Sequence, residues 1–526
     1  MSTNRISIIE KQRQSEQARL DLQKSAKERN ELGQFATPGA LAQQIAKVMW
    51  KHWARRKDKV RFLDPGIGTG SFYAALRQEF PLRVIECARG VEIDERFVKT
   101  ARSLWKGTGL DVQEGDFIRA KPPKEAARFN LVLTNPPYVR HHHLDAGEKV
   151  RLQSAVASQL GIRISGLAGL YCYFLLMCDR WLSDDGLAAW LIPSEFMDVK
   201  YGAAVKEYLT TRVRLLHVHR FDPSEVQFDD ALVTSAVVVF QKGRPRPADR
   251  ATFSYGGTLM RPRLRKRVAL SSLRAQGQKW TAYPHGAQNG VRAKSGVPTL
   301  GDLFTIKRGI ATGANGFFIL PREIAHEKGI PKVFLRPILP SPRYVPVTVI
   351  ESDDEGYPTI DRQLSVIDCG LPEDEVRRRY PSLWSYLEEG KEQRIHERYL
   401  TTYRSPWYSQ EKRPPAPFLC TYMGRDRETP FRFIWNKSQA TAANVYLLLY
   451  PKEPVAALFA KTPELYERVF EVLQRISPES FIGEGRVYGG GLFKMEPKEL
   501  ARLSADLLIK ALGGVTAIGQ QELMFR

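Results

Sequence analysis

The sequence predicts an α/β protein, with a doubly wound, mostly parallel sheet in the first half followed by a mixed α+β domain. Two observations lead to this prediction. In the first half, short apolar strands alternate with helical segments, which is typical of parallel sheets with helices on both faces. From Leu300 onward, periodic helices give way to short β-like runs separated by Gly, Pro and Asn.

Composition limits the class of partner. The chain has 526 residues, of which 43% are hydrophobic, and this is enough for two or three domains. Its formal net charge of +21 makes a polyanion the first partner to consider, with membrane phosphate as the rival. The sequence contains no apolar run near the ~18 residues of a membrane helix and no signal-peptide centre. We therefore expect a cytoplasmic protein with no membrane partner.

The cysteines and histidines do not indicate a metal site. The five cysteines show no CxxC pair and no Cys/His ligand spacing, so we expect reduced thiols. The adjacent residues His141 to His143 cannot easily converge on one ion. We expect no metal.

A glycine loop follows the first predicted strand. Residues 1–30 read as a charged helix, and "RFLDPGIGTG" (Arg61–Gly70) then reads as a strand that ends at Asp64 ahead of a helix-like segment. Gly66 and Gly68 allow the backbone to pass close to a ligand at the helix N-terminus, where N–H groups face outward. A glycine loop alone is weak evidence of a site.

Acidic residues mark the ends of the next strands. "RVIECARGVEIDERF" predicts a second strand with Glu92 near its carboxyl end, where an acid can accept hydrogen bonds from ribose hydroxyls. "VQEGDFI" adds Asp116 and Phe117 before a further strand. Because such strand ends meet at one edge of a doubly wound sheet, we expect a nucleotide-type ligand there. The glycine spacing is not GxGxxG, which weakens the dinucleotide alternative.

The stretch "LVLTNPPYVRHHH" runs an apolar strand into two prolines. Pro136 and Pro137 hold the backbone extended, with carbonyls exposed rather than paired. Asn135 supplies an amide with both a donor and an acceptor, and Tyr138 adds a flat ring. A bare Pro-Pro pair is most simply an ordinary strand exit, whereas its place after the other motifs favours a docking site.

These motifs, in this order, resemble those of the S-adenosylmethionine-dependent DNA N6-adenine methyltransferases of the TaqI-like, Eco57I-type family, which have a Rossmann-like class I methyltransferase domain. "LGQFATPGALAQQIAKVMW" (Leu32–Trp50) resembles the N-terminal cofactor motif of the family, and its place ahead of the glycine loop is the gamma arrangement. The resemblance implies S-adenosylmethionine as the cofactor. The residues implied to bind it are Phe35, Thr37, Pro38, Asp64, Pro65, Gly66, Gly68, Glu92, Ile93, Asp116, Phe117 and Asn135.

The resemblance also implies methylation of an adenine that is flipped out of duplex DNA. The Asn135 side-chain oxygen and the Pro136 carbonyl would accept hydrogen bonds from the adenine amino group, and Tyr138 would stack on the base. A second aromatic residue is expected on the other face of the base. Phe228 is favoured over Phe221, because its distance to the following strand fits the family better. The catalytic residues implied are Asn135, Pro136, Pro137, Tyr138 and Phe228.

The gamma arrangement places DNA target recognition in the C-terminal half. Segments there interleave basic with aromatic residues, a mixture that suits phosphate neutralisation and base stacking. The predicted parts are an N-terminal helical extension (1–30), a catalytic domain (31–245), a basic linker (246–299) and a target-recognition domain (300–526). The predicted DNA contacts are Arg140, Arg308, Asn315, Arg404, Trp407, Tyr408, Arg486 and Tyr488.

Several alternatives stay open at this point. The same acceptors would serve N4 of cytosine, and NPPY motifs also serve RNA bases and protein glutamine side chains. A DNA-binding module with an inert cofactor fold is the alternative outside enzymes, although the intact motifs argue against it. Since only residues 1–30 precede the first motif, we expect a methyltransferase without a fused nuclease. A separately encoded restriction endonuclease is then the expected partner, besides double-stranded DNA.

Overall fold

The computed structural model describes residues 3–25, 28–29, 32–222, 234–274, 279–284, 298–426, 428–488 and 492–513. The chain divides into two compact units. The first is formed by Met1–Ala287 with Tyr488–Gly490, and the second by Gln288–Val487 with Gly491–Arg526.

A large sheet forms the centre of the first unit. Its strands are β1 (Val60–Asp64), β2 (Ile85–Glu92), β3 (Leu110–Glu114), β4 (Phe129–Thr134), β5 (Leu182–Pro193), β6 (Val213–Arg220), β7 (Ser235–Lys242), β8 (Arg250–Gly257) and β9 (Pro262–Ala269). Within the described residues, the strand order is β3-β2-β1-β4-β5-β7-β6-β8-β9. Strands β1 to β5 pair in parallel, whereas β7 runs antiparallel to both β5 and β6. Every residue of β4 is buried, as expected of a central parallel strand that is covered on both faces.

Helices connect the parallel strands. In the first unit they are α1 (Thr3–Asp21), α2 (Gly39–Trp53), α3 (Ser71–Glu79), α4 (Glu95–Leu104), α5 (Ala146–Leu160), α6 (Leu170–Met177) and α7 (Ala203–Thr211). Asp94 and Asp145 cap α4 and α5 by accepting hydrogen bonds from backbone N–H groups of the first turn, and Gly161 ends α5 in the left-handed conformation. The alternation of strands and helices confirms the predicted doubly wound, Rossmann-like domain.

The predicted basic linker is wrong where it overlaps the sheet. Residues 250–269 form β8 and β9, and β8 pairs in parallel with β6. Ala251 and Phe253 of β8 are buried in the core of the unit. The strands are hard to see in the sequence because residues 263–267 of β9 are exposed at every position and mostly basic, so they read as a solvated charged run.

The second unit is a mixture of short strands and helices, which confirms the predicted α+β class. Its larger sheets have the strand orders β10-β19-β15-β17-β13 and β11-β14-β12-β18, and β16 pairs antiparallel with β21. The strands of this half are β10 (Phe304–Arg308), β11 (Ile319–Pro321), β12 (Leu335–Leu339), β13 (Val349–Ile350), β14 (Leu364–Ile367), β15 (Phe418–Thr421), β16 (Met423–Gly424), β17 (Phe433–Asn436), β18 (Thr441–Ala442), β19 (Tyr446–Pro451), β20 (Arg486–Tyr488) and β21 (Leu492–Lys494). The helices are α8 (Leu300–Leu303), α9 (Asn315–Phe318), α10 (Arg322–Glu327), α11 (Glu373–Arg379), α12 (Pro381–Glu392), α13 (Glu453–Lys461), α14 (Leu465–Gln474), α15 (Pro478–Glu484), α16 (Pro497–Leu500) and α17 (Asp506–Ala511).

Across the described part of both units, no helix is long and apolar enough to span a membrane.

Candidate active site

Four of the sequence motifs lie at the carboxyl edge of the first sheet. Asp64 ends β1 and Glu92 ends β2, while Asp116 and Asn135 follow β3 and β4 closely. These strands are neighbours in the order β3-β2-β1-β4, and neighbouring strands lie about 4.8 Å apart. The structure therefore brings the predicted glycine loop, the acidic strand ends and the NPPY motif to one edge.

The glycine loop is tied to the end of β2. The Gly68 N–H donates to Glu92 Oε2 at 2.9 Å, and the Ile67 N–H donates to the Val91 carbonyl at 3.0 Å. A Cβ at Gly68 would meet no atom of the described residues within 4 Å, so the loop faces open space in this part of the structure. The loop thus presents its backbone at the start of α3, where anionic or polar ligand groups are favoured.

Asp64 is buried beneath this loop. Its Oδ1 accepts a hydrogen bond from the Gly66 N–H at 3.2 Å. Burial raises the pKa of Asp64 to about 7, and the nearby carboxylate of Glu92 adds to this shift. A carboxyl group with a pKa near neutrality responds strongly to a cationic ligand. Pro65, next in the loop, is also buried.

The acidic strand ends differ in environment. Glu92 Oε1 accepts from the N–H groups of Ile93 and Asp94 at 2.9 and 3.0 Å, and burial raises its pKa. Asp116 is half-buried, and its pKa is raised mainly by burial. Ile93 is 66% exposed, whereas the Phe117 ring packs on other aromatic rings in the core. Each carboxylate oxygen has two lone pairs, so both acids keep acceptors for a ligand.

The side-chain amide of Asn135 has a fixed orientation, in which the nitrogen is hydrogen-bonded and the oxygen has no partner among the described residues. Its Nδ2 donates to the Phe35 carbonyl at 2.9 Å and to Thr37 Oγ1 at 3.1 Å. A backbone carbonyl can only accept, so the atom facing it must be the nitrogen. Oδ1 is buried and has no hydrogen-bond partner among the described residues. A buried acceptor without a partner costs about 1–3 kcal/mol, and this cost is removed when a ligand donates to it.

The rest of the motif is rigid and crowded. Pro136 is buried, and within the described residues its carbonyl accepts no hydrogen bond. The Tyr138 N–H donates to the Gly33 carbonyl at 2.9 Å, and its hydroxyl donates to the Leu191 carbonyl at 3.1 Å. Only 6% of Tyr138 is exposed, and burial raises its pKa. A flipped base can stack on this ring only if one face becomes accessible.

Gly33 is a site residue that the sequence reasoning missed. It has a φ of 61°, and a Cβ there would lie 2.4 Å from the backbone nitrogens of Tyr138 and Val139. No other residue type fits a backbone crossing this close. The signal was present, because Gly33 lies two residues before Phe35 in "LGQFATP".

The N-terminal motif sits between the NPPY motif and the glycine loop. Thr37 is buried, and its carbonyl accepts a hydrogen bond from Ser71 Oγ at 2.9 Å, at the start of α3. The Phe35 ring lies 5.6 Å from the Tyr138 ring, and Pro38 is exposed at the start of α2. Asn135 therefore holds a segment that also contacts the glycine-loop helix.

Helix α1 also reaches this site, through residues that the sequence did not single out. The buried Arg13 donates to both Glu10 oxygens, at 2.6 and 2.8 Å, and its third donor reaches Thr69 Oγ1 in the glycine loop at 3.0 Å. Just after the helix, Lys24 Nζ lies 2.9 Å from Asp94 Oδ2, which follows the Glu92 motif. The N-terminal segment is thus fastened to both cofactor-side loops.

Phe228, the predicted stacking residue, lies outside the described residues. Its competitor Phe221 is 3% exposed and belongs to the core, with its ring 4.6 Å from that of His219.

The predicted DNA contacts of the second unit include several structural residues. Tyr408 is fully buried and donates to the Leu371 carbonyl, so this prediction was wrong. Arg404 is half-buried, and its guanidinium donates to the carbonyls of Thr312 and Ala311. Trp407 is half-buried and packs on Phe317 and Phe318.

Other predicted contacts keep some exposure. Arg140 and Asn315 are exposed, and Asn315 Oδ1 accepts from Thr312 Oγ1 at 2.6 Å. Arg308 is half-buried, donates to the Asn444 carbonyl and lies 4.0 Å from the centre of the Tyr422 ring. The side chains of Arg486 and Tyr488 lie outside the described part of the structure.

The residues at the sheet edge fit S-adenosylmethionine. Open space adjoins Gly68, and the unpartnered Asn135 Oδ1 lies in the same group of motifs. Glu92 and Asp116 offer acceptors for ribose hydroxyls or an adenine amino group, and a cationic ligand nearby would lower the raised pKa of Asp64 and favour its charged form. Among the residues that the structure describes, no group of His, Cys, Asp and Glu could hold a metal ion.

This fit places the protein in the class of Rossmann-like methyltransferases that use S-adenosylmethionine. Family comparison then narrows the class. Residues 83–227 match the Eco57I restriction-modification methylase, and residues 281–512 match the C-terminal domain of the type II methyltransferase M.Eco57I. Both halves of the chain thus match domains of the Eco57I-type restriction-modification methylases.

Individual relatives span most of the chain. Type II methyltransferase M.XamI of Xanthomonas campestris pv. amaranthicola is 29% identical, over 87% of this chain and 83% of its own length. Type II methyltransferase M.AccI of Acinetobacter calcoaceticus is 26% identical, over 90% of this chain and 85% of its own. The solved structure of the Type IIL restriction-modification enzyme MmeI in complex with DNA aligns with a TM-score of 0.50 and 13% identity, over 81% of this chain and 61% of that one. At that identity the likeness concerns the fold alone.

Proposed function

We propose that the protein is a site-specific DNA adenine methyltransferase, which transfers the methyl group of S-adenosylmethionine to N6 of an adenine flipped out of duplex DNA. The observation that supports this most is the buried, unpartnered Oδ1 of Asn135. An exocyclic amino group carries two hydrogens to donate, and a fixed neutral acceptor is its natural partner.

The NPPY motif acts on the nucleophile. The N6 lone pair of adenine is delocalised into the ring, so the nitrogen must be drawn towards tetrahedral geometry. Asn135 Oδ1 and the Pro136 carbonyl accept hydrogen bonds from its two hydrogens, and rigid prolines keep the carbonyl aimed. When bound, S-adenosylmethionine supplies the electrophilic methyl group. The fixed acceptors stabilise the positive charge that develops on N6 without reorganisation.

Stacking completes the base pocket. A base leaves the duplex at a cost of a few kcal/mol, which contacts to both of its faces offset. Tyr138 serves one face and Phe228 the other in this proposal. An aromatic face beside the nitrogen also stabilises its developing charge by roughly 0.5–2 kcal/mol.

The substrate is double-stranded DNA, which the net charge of +21 supports. The C-terminal half serves as the target-recognition domain, in which the remaining candidate contacts are Arg308, Asn315, Arg404, Trp407, Arg486 and Tyr488. Arg140 is the corresponding candidate beside the NPPY motif. A separately encoded restriction endonuclease acting on the same site is part of this proposal, with methylation protecting host DNA.

The test uses labelled S-adenosylmethionine and unmethylated bacterial genomic DNA, followed by digestion to nucleosides and mass spectrometry. N6-methyldeoxyadenosine is the expected product, and the Asn135→Ala protein is the matched control for background methylation. N4-methyldeoxycytidine would overturn the choice of adenine. Label on RNA or on protein glutamine, with none on DNA, would overturn the substrate.

A further inference from the structure

Strand β9, the outermost strand of the first sheet, has an unusual composition and exposure. It is the last strand in the sheet order, and among the described residues it pairs only with β8. Residues 263–267 are all exposed, although a strand that covered a core would bury alternate positions. Four of these five residues are basic, namely Arg263, Arg265, Lys266 and Arg267.

Most of this charge has no acidic partner. Arg263 donates to Asp222 Oδ2 at 3.1 Å. In the described part of the chain, Arg265, Lys266 and Arg267 form no ion pair. Adjacent like charges repel one another, and an anionic partner relieves that repulsion.

The charges lie on both faces of a narrow edge. Arg265 and Arg267 lie opposite Ser254 and Thr252 of β8, so they share one face, about 6.7 Å apart along the strand. Lys266 points to the other face. A thin strand with cations on both sides suits a row of phosphates better than it suits a flat protein surface. Exposed lysine and arginine on an edge strand also discourage pairing with another strand.

The strand directions place this edge relative to the active site. β4, β5, β6 and β8 all run in the same direction, so β9 begins at the edge of the sheet that carries Asn135. β9 is five strands away from β4 in the sheet order. At about 4.8 Å per strand this separation is roughly 24 Å, which corresponds to about seven base pairs of a duplex at 3.4 Å each.

We propose that β9 binds the phosphate backbone of the duplex that flanks the target base, about seven base pairs away from it. This inference rests on duplex DNA being the substrate. Phosphate contacts of this kind position a protein on DNA and carry no sequence information.

The first test compares two triple variants. One carries Arg265→Ala, Lys266→Ala and Arg267→Ala. The control carries Arg55→Ala, Lys57→Ala and Lys59→Ala, which removes the same charge from exposed positions just before β1, at the opposite edge of the sheet. The logarithm of the DNA-binding constant falls linearly with the logarithm of salt concentration, and each lost phosphate contact makes this negative slope shallower by about 0.9. We expect the slope of the β9 variant to be shallower than that of wild type by about 2–3, on target and non-target duplexes alike. The slope of the control should change much less.

The second test varies the duplex length. On a duplex with about 12 base pairs on both sides of the target, wild type binds more tightly than the β9 variant. On a duplex with about four base pairs on both sides, the two proteins bind alike, because the flanking phosphates are gone. The single-turnover methylation rate at saturating DNA stays within about twofold in the β9 variant.

Three outcomes would overturn the inference. The first is a β9 variant that keeps the wild-type salt slope. The second is a control variant whose slope changes as much as that of the β9 variant. The third is a difference in affinity between wild type and the β9 variant that stays the same on the short duplex. Vesicles of phosphatidylserine that bind in a β9-dependent way, with duplex binding unaffected, would assign the edge to a membrane surface instead. If wild type bound no duplex at all, the proposed function would fail together with it.

Discussion

The sharpest prediction concerns the two ends of the Asn135 amide, which the structure assigns to different tasks. Asn135→Ala removes both the unpartnered Oδ1 and the Nδ2 that donates to Phe35 and Thr37. Asn135→Asp keeps an acceptor in place of Oδ1 but removes the donor. Comparing the two variants separates the role of the acceptor in catalysis from the role of the donor in holding the N-terminal motif.

The expected magnitudes follow from these contacts. Loss of one preorganised hydrogen-bonding group that stabilises transition-state charge costs about 10²–10³ in rate. Loss of the two Nδ2 hydrogen bonds costs about 0.5–1.5 kcal/mol each in stability. We therefore expect Asn135→Ala to lower the single-turnover rate at least about 100-fold. In stability, the loss of the two Nδ2 hydrogen bonds is largely offset by removal of the buried, unpartnered Oδ1, so the free energy of unfolding without cofactor should fall by less than about 2 kcal/mol. Asn135→Asp should lose at least as much stability, because its carboxylate faces the Phe35 carbonyl, but less of the rate.

The assay is single-turnover methyl transfer at saturating cofactor and DNA, with cofactor affinity measured separately by calorimetry and stability by urea denaturation. We expect cofactor affinity to change by less than about tenfold in Asn135→Ala. The reasoning is refuted if Asn135→Ala keeps more than about a tenth of the wild-type rate. It is also refuted if Asn135→Asp is no faster than Asn135→Ala, since the acceptor would then contribute nothing.

Three further predictions use other parts of the site. Gly33→Ala puts a Cβ 2.4 Å from the Tyr138 nitrogen at a φ of 61°. It should lower the single-turnover rate about 100-fold through misplacement of the motif and stability by at least about 1–2 kcal/mol; a wild-type rate would contradict this. Asp64 has an ordinary pKa of 3.8 and a folded-state pKa of about 7. The folded protein therefore holds a proton that the unfolded chain releases, and the free energy of unfolding without cofactor should fall as pH rises from about 4 to 7. Urea denaturation across this range should show a smaller fall for Asp64→Asn, and an equal fall would be the contrary result. Phe228→Ala should weaken base flipping, followed by the fluorescence of 2-aminopurine at the target position, whereas the buried Phe221→Ala should lose about 3–5 kcal/mol of stability. The reverse pattern would reassign the stacking role.

The first half of the fold was predictable because its strands end directly at polar residues that are visible in the sequence. β4 is buried at every position and ends directly before Asn135, and β2 ends at Glu92. A buried run such as β4, followed by a polar turn, places the site at one edge without any knowledge of tertiary contacts. β9 escaped notice because charge dominates its composition. β8 escaped notice because its pairing with β6 depends on a neighbour distant in sequence.

Individual contacts were less predictable than the site as a whole. A mixture of arginine and aromatic residues is the same whether it faces phosphates or a core, so Tyr408 reads as a DNA contact although it is buried and donates to a carbonyl group of the protein. The close crossing at Gly33 likewise appears only when two segments about a hundred residues apart are brought together. Spacing along the chain carries no information on such meetings.

The hydrogen bond between Arg13 and Thr69 joins α1 to the glycine loop across 56 positions of sequence. The free energy that docks this helix therefore also orders the loop. Thermodynamic reciprocity requires that any strengthening of cofactor binding by the docked helix be matched by an equal strengthening of docking by the cofactor. We therefore expect amide hydrogen exchange in α1 to slow when the cofactor binds, so that exchange in this helix reports cofactor binding without a label in the site.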